Sequence, residues 1–292
     1  MRIASNKISD VIRFFREELN NFYEKDEIEI FIQYCFEYFL NFKKSDILLR
    51  KNETISESEL LKFNFAIKDL KQFKPIQYIL GNANFYGLKF YVNGQVLIPR
   101  NETEELVDLI LNDIKLLPIK NQDLSILDIG SGSGCIPIAL KKNMLAAQVY
   151  GIDVSEEALK VAKLNAELNK VEVGFILDDI INPSLKLDFL KFDIIVSNPP
   201  YISVSEKATM SKNVLDYEPH LALFVLDNDP LLFYKAIADF ALKHLHKNGK
   251  LYFEINQNFG TETKLLLENK GFKNVQLIKD LNRNNRIIKA FL

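Results

Sequence analysis

The first quarter of the chain has the hydrophobic pattern of amphipathic helices. Between residues 8 and 71, apolar positions recur at helical spacing, most clearly over 8–22, 28–40 and 60–70. Ser56 and Glu59 stand three residues apart just before an apolar pair, which is the pattern of a helix capping box. These features predict a small helical bundle as an N-terminal domain over residues 1–74.

The pattern changes over residues 75–101. Five turn-forming residues, Pro75, Gly81, Gly87, Gly94 and Pro99, separate short stretches that favour strands, namely 85–91 and 95–98. Glycine and proline interrupt regular elements, and short β-prone runs between them are typical of hairpins. The pattern predicts a β-hairpin connector over residues 75–101.

Strand-like and helical patterns alternate over residues 102–292. The strand-like runs are 126–129, 149–152, 173–177, 192–197, 250–255, 275–278 and 286–291. A helical pattern follows the first run from Cys135, and others span 156–169, 231–246 and 261–269. This alternation predicts an α/β domain with a mostly parallel sheet and helices on both faces. A chain of 292 residues has room for that domain and the smaller helical one.

Composition and charge narrow the functional classes. The longest apolar runs fall far short of the roughly 18 to 20 residues that span a bilayer, and residues 1–10 lack the apolar stretch of a secretory signal. We therefore expect a cytoplasmic protein without a membrane partner. The two cysteines, Cys35 and Cys135, have no neighbours at metal-ligand spacing, which predicts neither a disulfide nor a metal site. A net charge of -2 with interspersed signs argues against direct nucleic-acid binding.

A glycine-rich turn follows the first strand of the α/β domain. Asp128 lies in that strand, and the turn consists of Gly130, Ser131, Gly132, Ser133 and Gly134. Glycines allow a tight turn and a close approach to a ligand. A dinucleotide-binding turn would place its third glycine three residues after the second, whereas here it comes two residues after. This spacing, with Asp128 able to accept from an ammonium group, favours S-adenosylmethionine as the cofactor.

Acidic residues end the next two strands. Asp153 follows the second strand, where a carboxylate can accept hydrogen bonds from both hydroxyls of a ribose. Asp178 and Asp179 close the third strand, where the adenine would lie. We expect one of the two, Asp178 in preference to Asp179, to accept from the adenine amino group.

The fourth strand ends in the sequence Asn198, Pro199, Pro200, Tyr201. The two prolines fix the backbone and remove two N–H donors, so the corner is rigid and presents carbonyl oxygens. The side-chain oxygen of Asn198 and the carbonyl of Pro199 can each accept one N–H of an NH2 group and hold its nitrogen in line for methyl transfer. Tyr201 can lie against a planar acceptor. We therefore predict that these four residues bind the substrate and that the enzyme methylates an amide-like nitrogen of that substrate.

These residues resemble the release factor glutamine methyltransferases of the HemK/PrmC type. The resemblance extends to Pro-Ile-Gln-Tyr-Ile-Leu-Gly at 75–81, Phe-Tyr-Gly-Leu at 85–88, Val-Leu-Ile-Pro-Arg at 96–100, Glu-Thr-Glu at 102–104, Tyr-Glu-Pro at 217–219, Lys-Asp-Leu at 279–281 and Asn-Arg at 285–286. The chain departs from the family pattern at Asn101, where proline is usual, and at Asp227, Asn228 and Asp229, where Asp-Gly is expected. Both departures affect loops outside the predicted site.

The resemblance implies a fold, a reaction and a partner. The fold is that of a class I, Rossmann-like S-adenosylmethionine-dependent methyltransferase with a seven-stranded, mostly parallel sheet, preceded by a helical domain that binds the release factor. The reaction methylates the side-chain N5 of the glutamine in the Gly-Gly-Gln motif of class I peptide chain release factors and leaves S-adenosylhomocysteine. Asn198 would bind both cofactor and substrate, and Glu102 is either a further ligand or a solvated helix start.

Two other functions are consistent with parts of the pattern. A nucleic-acid N-methyltransferase could use the same corner, because an exocyclic amino group of a nucleobase is also a planar NH2 and a flipped base could stack on Tyr201. The balanced charge argues against it, since the longest basic run in the helical region is Lys43-Lys44. A non-catalytic adaptor would leave the glycine turn, the acidic residues and the corner unexplained.

Overall fold

The computed structural model describes residues 5–115, 124–184 and 190–292. The helices are α1 (Ile8–Leu19), α2 (Lys25–Leu40), α3 (Lys44–Leu49), α4 (Glu57–Leu70), α5 (Ile76–Leu80), α6 (Asn101–Lys115), α7 (Cys135–Asn143), α8 (Glu156–Asn169), α9 (Lys212–Tyr217), α10 (Leu232–His244) and α11 (Gly260–Asn269). The strands are β1 (Ala83–Phe85), β2 (Leu88–Phe90), β3 (Ser125–Ile129), β4 (Gln148–Asp153), β5 (Gly174–Leu177), β6 (Phe192–Ser197), β7 (Ile202–Ser203), β8 (Phe224–Val225), β9 (Leu245–Glu254), β10 (Lys273–Lys279) and β11 (Asn285–Phe291).

The chain divides into two compact units. The first comprises Met1–Asn82 together with Ser211–Tyr217, and the second comprises Ala83–Met210 and Glu218–Leu292. The short helix α9 therefore belongs to the first unit although it comes late in the chain. Within that unit, the Tyr217 hydroxyl donates to the backbone carbonyl of Gln72 at 2.9 Å.

The first unit is the helical bundle that the sequence predicted. Its helices enclose an aromatic centre in which Phe15, Phe36 and Phe63 are fully buried and their rings are in contact. The predicted capping box forms at the start of α4: the Ser56 hydroxyl accepts from the Glu59 N–H, and the Glu59 carboxylate accepts from the Ser56 N–H. The bundle is thus stabilised by aromatic burial and by a capped helix start.

The second unit is built on a seven-stranded sheet with the order β10-β11-β9-β6-β3-β4-β5. The strands from β9 to β5 are parallel to one another, and β11 pairs antiparallel with both of its neighbours. Central strands that are covered on both faces require continuous apolar runs, and residues such as Leu127, Ile195 and Leu251 are fully buried. The predicted architecture, a seven-stranded, mostly parallel sheet preceded in the chain by a helical bundle, is confirmed.

The region 75–101 differs in detail from the sequence prediction. It begins with α5, which lies in the first unit, and the hairpin is the pair β1–β2. The prediction of a strand over residues 95–98 is wrong, because this segment is irregular and the Ile98 N–H donates to the Glu218 carboxylate instead of to a strand. Val96 and Ile98 are nevertheless buried. Because they are two positions apart, their apolar side chains produce the alternating pattern that is typical of a strand.

Several shorter elements had no recognisable signal. Helices α3 and α9 and the parallel pair β7–β8 are each six residues long or shorter, too short to establish a period. Strand β9 begins at Leu245, five residues before the predicted start at 250, through an irregular pairing with β6. In the described part of the chain, no helix is long and apolar enough to cross a membrane.

Candidate active site

A cavity of about 490 Å³ opens at the carboxyl ends of the parallel strands in the second unit. Strand β3 pairs with β4 on one side and β6 on the other. The chain therefore continues from β3 toward one edge of the sheet through β4 and β5, and then returns to the other side of β3 with β6. Open α/β sheets bind ligands at such a switch point. The cavity is lined by Gln95, Val96, Leu97, Ile129, Gly130, Gly132, Ile152, Asp153, Val154, Ser155, Ala158, Asp178, Asp179, Ile180, Ile181, Ser197, Asn198, Pro199, Pro200, Pro219, His220, Leu221, Ala222, Phe233 and Ile237.

The glycine turn contributes two of its five residues to this lining. Gly130 and Gly132 have φ values of 76° and 53°, and a Cβ atom at either position would meet nothing within 4 Å. A ligand can therefore approach this backbone closely. Ser131, Ser133 and Gly134 lie away from the cavity: the two serines are buried, and a Cβ on Gly134 would come 3.1 Å from that of Ala162. Their placement supports the turn from behind.

Asp128 is fully buried in β3 beneath the turn. Within the described residues, neither oxygen of its carboxylate has a hydrogen-bond partner. Burial raises the pKa of this carboxyl from its ordinary value of 3.8 to about 7; the Ser131 hydroxyl, which donates to the Asp128 backbone carbonyl, opposes that rise, and the charge of Asp153 adds to it. An ionised carboxylate without a partner is unfavourable, so this group is suited to a cationic ligand that reaches it.

Asp153, at the end of β4, holds the turn and borders the cavity. Its two carboxylate oxygens accept from the backbone N–H groups of Gly132 at 2.8 Å and Ser155 at 2.9 Å. Burial raises its pKa, and these N–H donors oppose that rise. Each oxygen keeps a lone pair after its backbone bond, so the carboxylate can still accept hydroxyl donors from a ligand.

Asp178 and Asp179 also line the cavity, at the end of β5. The Asp178 carboxylate organises its own loop, since it accepts from the backbone N–H groups of Asp179 and Ser184 and from the Ser184 hydroxyl. Asp179 accepts from the Ile181 N–H at 2.9 Å. Both side chains are therefore held in place at the edge where the sequence predicted the adenine to lie.

The corner after β6 places three of its four residues on the cavity, namely Asn198, Pro199 and Pro200. The Asn198 side-chain nitrogen donates to the Thr103 hydroxyl at 3.2 Å. The described residues supply no hydrogen-bond donor to its side-chain oxygen, which remains available to a ligand. The corner thus presents a side-chain oxygen on a rigid backbone beside the glycine turn.

Tyr201 does not line the cavity, and here the structure departs from the predicted stacking against the acceptor. Its hydroxyl donates to the Glu254 carboxylate at 3.1 Å, and its ring packs against the hydrophobic core of the sheet. Burial, followed by the charge of Glu254, raises the pKa of the phenol well above its ordinary value. Tyr201 therefore anchors the corner from behind in this conformation.

Two polar residues to which the sequence analysis gave no role in the site, Thr103 of the 102–104 motif and Glu254, contact the same corner from outside the cavity. Thr103, in the first turn of α6, donates to Glu254 at the end of β9 at 2.7 Å, and both are buried. Glu254 interrupts the apolar run 251–255, which is the signal that could have identified it. Glu102, which was an open candidate, lies at the start of α6 and does not line the cavity.

The described residues contain neither a metal site nor a disulfide. No group of three or more His, Cys, Asp and Glu side chains is arranged to hold a metal ion. Cys35 and Cys135 are both free, and burial raises the pKa of each thiol, that of Cys135 to about 12. Neither thiol therefore ionises readily at neutral pH.

Comparisons with known proteins agree with this architecture. A family model described as "Methyltransferase small domain" matches residues 108–217, and one described as "PrmC N-terminal domain" matches residues 10–81. A solved T. thermophilus 16S rRNA N2 methyltransferase, crystallised with AdoMet and guanosine, has a TM-score of 0.51 and 17% identity, covering 72% of this chain and 49% of that one. Fold and site together define a class I methyltransferase.

Two relatives with high sequence identity indicate which family of methyltransferases the chain belongs to. A release factor glutamine methyltransferase from Flavobacterium psychrophilum is 49% identical over 94% of this chain and 96% of its own length. Another from Bacteroides thetaiotaomicron is 41% identical over 96% of this chain and 98% of its own. The chain therefore belongs to the release factor glutamine methyltransferase family.

Proposed function

We propose that this enzyme transfers a methyl group from S-adenosylmethionine to the side-chain N5 of the glutamine in the Gly-Gly-Gln motif of a class I peptide chain release factor. Family membership supports the substrate. The observation that carries the chemistry is at Asn198, which lines the cavity and whose side-chain nitrogen donates to Thr103, so that its side-chain oxygen is left to accept from a ligand. We place the reaction in the cytoplasm, where translation termination occurs.

The residues around the cavity fit S-adenosylmethionine. Asp128 is fully buried and does not itself line the cavity, but its carboxylate has no partner among the described residues and would accept from the ammonium of the cofactor. Gly130 and Gly132 leave open space through which the cofactor can approach the backbone. Asp153 retains acceptor capacity for the ribose, and Asp178 lies where it can accept from the adenine amino group. When bound, the cofactor supplies an electrophilic methyl group on a sulfonium.

The corner supplies orientation to the acceptor nitrogen. An amide nitrogen is a weak nucleophile because its lone pair is delocalised into the carbonyl. Asn198 Oδ1 and the Pro199 carbonyl oxygen would accept its two hydrogens and direct the nitrogen toward the methyl group. With the methyl group supplied by the cofactor, which would leave as S-adenosylhomocysteine, the acceptor nitrogen would give up one proton to solvent. Since proline fixes the backbone of the corner, little reorganisation is needed.

We further propose that the helical unit docks the release factor. The α2 helix exposes Ile30, Tyr34 and Tyr38 at successive four-residue intervals, so they share one face. Aromatic residues of this kind are enriched at protein interfaces. This surface would contact the folded release factor, while the Gly-Gly-Gln loop reaches the catalytic unit.

The function is tested by incubating the purified enzyme with a class I release factor and isotopically labelled S-adenosylmethionine, followed by tandem mass spectrometry. The expected product carries one added methyl on the glutamine of the Gly-Gly-Gln peptide. Duplex DNA, ribosomal RNA and a release factor with Gln→Ala in the motif serve as controls. Methylation of nucleic acid in preference to the release factor would reject the proposed substrate.

A further inference from the structure

A chain of hydrogen bonds connects the acceptor corner to two buried residues outside the cavity. The Asn198 side-chain nitrogen lies 3.2 Å from the Thr103 hydroxyl oxygen. That hydroxyl lies 2.7 Å from one oxygen of Glu254, and the Tyr201 hydroxyl lies 3.1 Å from the other. Thr103 is 3% exposed and Glu254 is 1% exposed, and neither lines the cavity. They can therefore act only through the residues they hold.

When the Glu254 carboxyl is ionised, the chemical types in this chain fix the direction of every hydrogen bond. An ionised carboxylate has no hydrogen and only accepts. The single hydrogen of the Thr103 hydroxyl must therefore point to Glu254, which leaves only its lone pairs facing Asn198. Only the NH2 end of the Asn198 amide can meet a lone pair. The oxygen end of that planar group consequently faces the other way.

The orientation of the Asn198 amide decides whether the corner can hold an NH2 group. With its oxygen outward, the side chain accepts a hydrogen of the acceptor nitrogen. With the amide flipped, two N–H groups would face each other and no hydrogen bond would form. The two ends of an amide have almost the same shape, so packing alone discriminates poorly between the two orientations, whereas a directed hydrogen bond does so strongly.

The nature of Glu254 supports a directional role. Burial raises the pKa of its carboxyl, and the hydroxyls of Thr103 and Tyr201, with the charge of Arg286, oppose that rise. No Lys or Arg among the described residues forms an ion pair with it, so its direct side-chain partners are two hydroxyl donors, and Arg286 acts on its charge only from a distance. A buried carboxylate is unfavourable without such partners. An amide or hydroxyl at this position could donate as well as accept and would leave the direction undefined.

We propose that Thr103 and Glu254 are positioning residues for methyl transfer, which orient the Asn198 side chain so that Oδ1 and not Nδ2 faces the acceptor nitrogen. The inference rests on the proposed function for its kinetic consequence. The orientation itself exists before any substrate binds and can be measured without turnover.

The decisive variant is Thr103→Val, which keeps the shape of the side chain and removes the oxygen. We expect kcat for the release factor to fall by about 10- to 100-fold, as for the loss of an oriented transition-state hydrogen bond, while the Kd for S-adenosylmethionine stays unchanged. Thr103→Ser keeps the hydroxyl and should restore kcat to within about threefold of wild type. Thr263→Val is the matched control, because Thr263 is fully buried in α11 and its hydroxyl donates to the Phe259 carbonyl and not to a residue of the corner.

A double-mutant cycle separates positioning from mere stabilisation. In single-turnover assays on the Asn198→Ala background, Thr103→Val should have no further effect beyond about twofold, because the group it orients is gone. An equal loss in both backgrounds, or a wild-type kcat in Thr103→Val, would overturn the proposal. If Thr103→Val does not fold, Thr103→Ala removes the same oxygen and takes its place.

A spectroscopic measurement distinguishes failure of this proposal from failure of the proposed function. The side-chain NH2 resonances of Asn198, assigned by their loss in Asn198→Ala, should exchange slowly with water in wild type and Thr103→Ser and quickly in Thr103→Val. If wild-type enzyme does not methylate the release factor, the function is wrong and these resonances alone judge the orientation. Identical exchange in wild type and Thr103→Val would refute it.

Discussion

Asp128 gives the clearest quantitative prediction. Its pKa is raised from an ordinary 3.8 to about 7 because the carboxyl is fully buried without a partner. A raised pKa means that the carboxylate binds its proton more tightly in the folded protein than in the unfolded chain. Its ionisation therefore lowers the free energy of unfolding as the pH rises from about 4 to about 7, by about 4 kcal/mol in total.

The assay compares urea unfolding of the ligand-free wild type with that of Asp128→Asn. The variant cannot ionise at this position, and any penalty for its buried amide is independent of pH. Between about pH 5 and about pH 8, the wild type should lose about 2 to 3 kcal/mol of stability relative to the variant. Titration of all other groups is common to the two proteins and cancels in the difference.

Saturating S-adenosylmethionine provides the second half of this test. A bound ammonium beside the carboxylate favours the ionised form, so cofactor affinity in the wild type should rise with pH up to about 7 and be nearly flat in Asp128→Asn. Parallel stability curves for the two ligand-free proteins over this pH range would show that Asp128 ionises with an ordinary pKa. The reasoning from its burial would then be refuted.

Three further predictions test the site and the docking surface. Asn198→Ala should lower kcat by about 100-fold or more with cofactor still bound, and near-normal turnover would remove its assigned role. Asp153→Ala should weaken S-adenosylmethionine binding measured by calorimetry, because it loosens the glycine turn and removes a ribose acceptor; an unchanged Kd would exclude it from the site. Replacing both Tyr34 and Tyr38 by Asp should raise KM for intact release factor by about tenfold and spare a short Gly-Gly-Gln peptide. Leu281→Asp, at an 88% exposed position in the other unit, is the matched control, and an equal effect there would reject docking on α2.

The parts of the fold that depend on local periodicity were predictable from the sequence. The alternation of apolar runs and helical patterns predicted the mostly parallel sheet, and the spacing of Ser56 and Glu59 predicted the start of α4. Segment 95–98 failed because an alternating pattern reports burial, and burial was satisfied there without strand pairing. The hydrophobic pattern therefore predicts which side chains are buried better than it predicts whether the backbone forms a paired strand.

The candidate site divides in the same way. The glycine turn, the acidic strand ends and the corner each follow a strand, and this position brings part of each to one cavity, namely Gly130, Gly132, Asp153, Asp178, Asp179 and residues 198–200. Thr103 is 95 positions from Asn198 and 151 positions from Glu254, its two hydrogen-bond partners. No local pattern relates such residues. The backward orientation of Tyr201 was likewise unpredictable, because it depends on the carboxylate that β9 places behind it.

The central claim is that one flat NH2 group is held by two oxygen atoms of the corner. It is tested most directly by a crystal structure of the enzyme with S-adenosylhomocysteine and a Gly-Gly-Gln peptide. The account predicts the glutamine nitrogen about 3 Å from both Asn198 Oδ1 and the Pro199 carbonyl oxygen. A glutamine side chain bound elsewhere in the cavity, with neither oxygen in reach of its nitrogen, would contradict it.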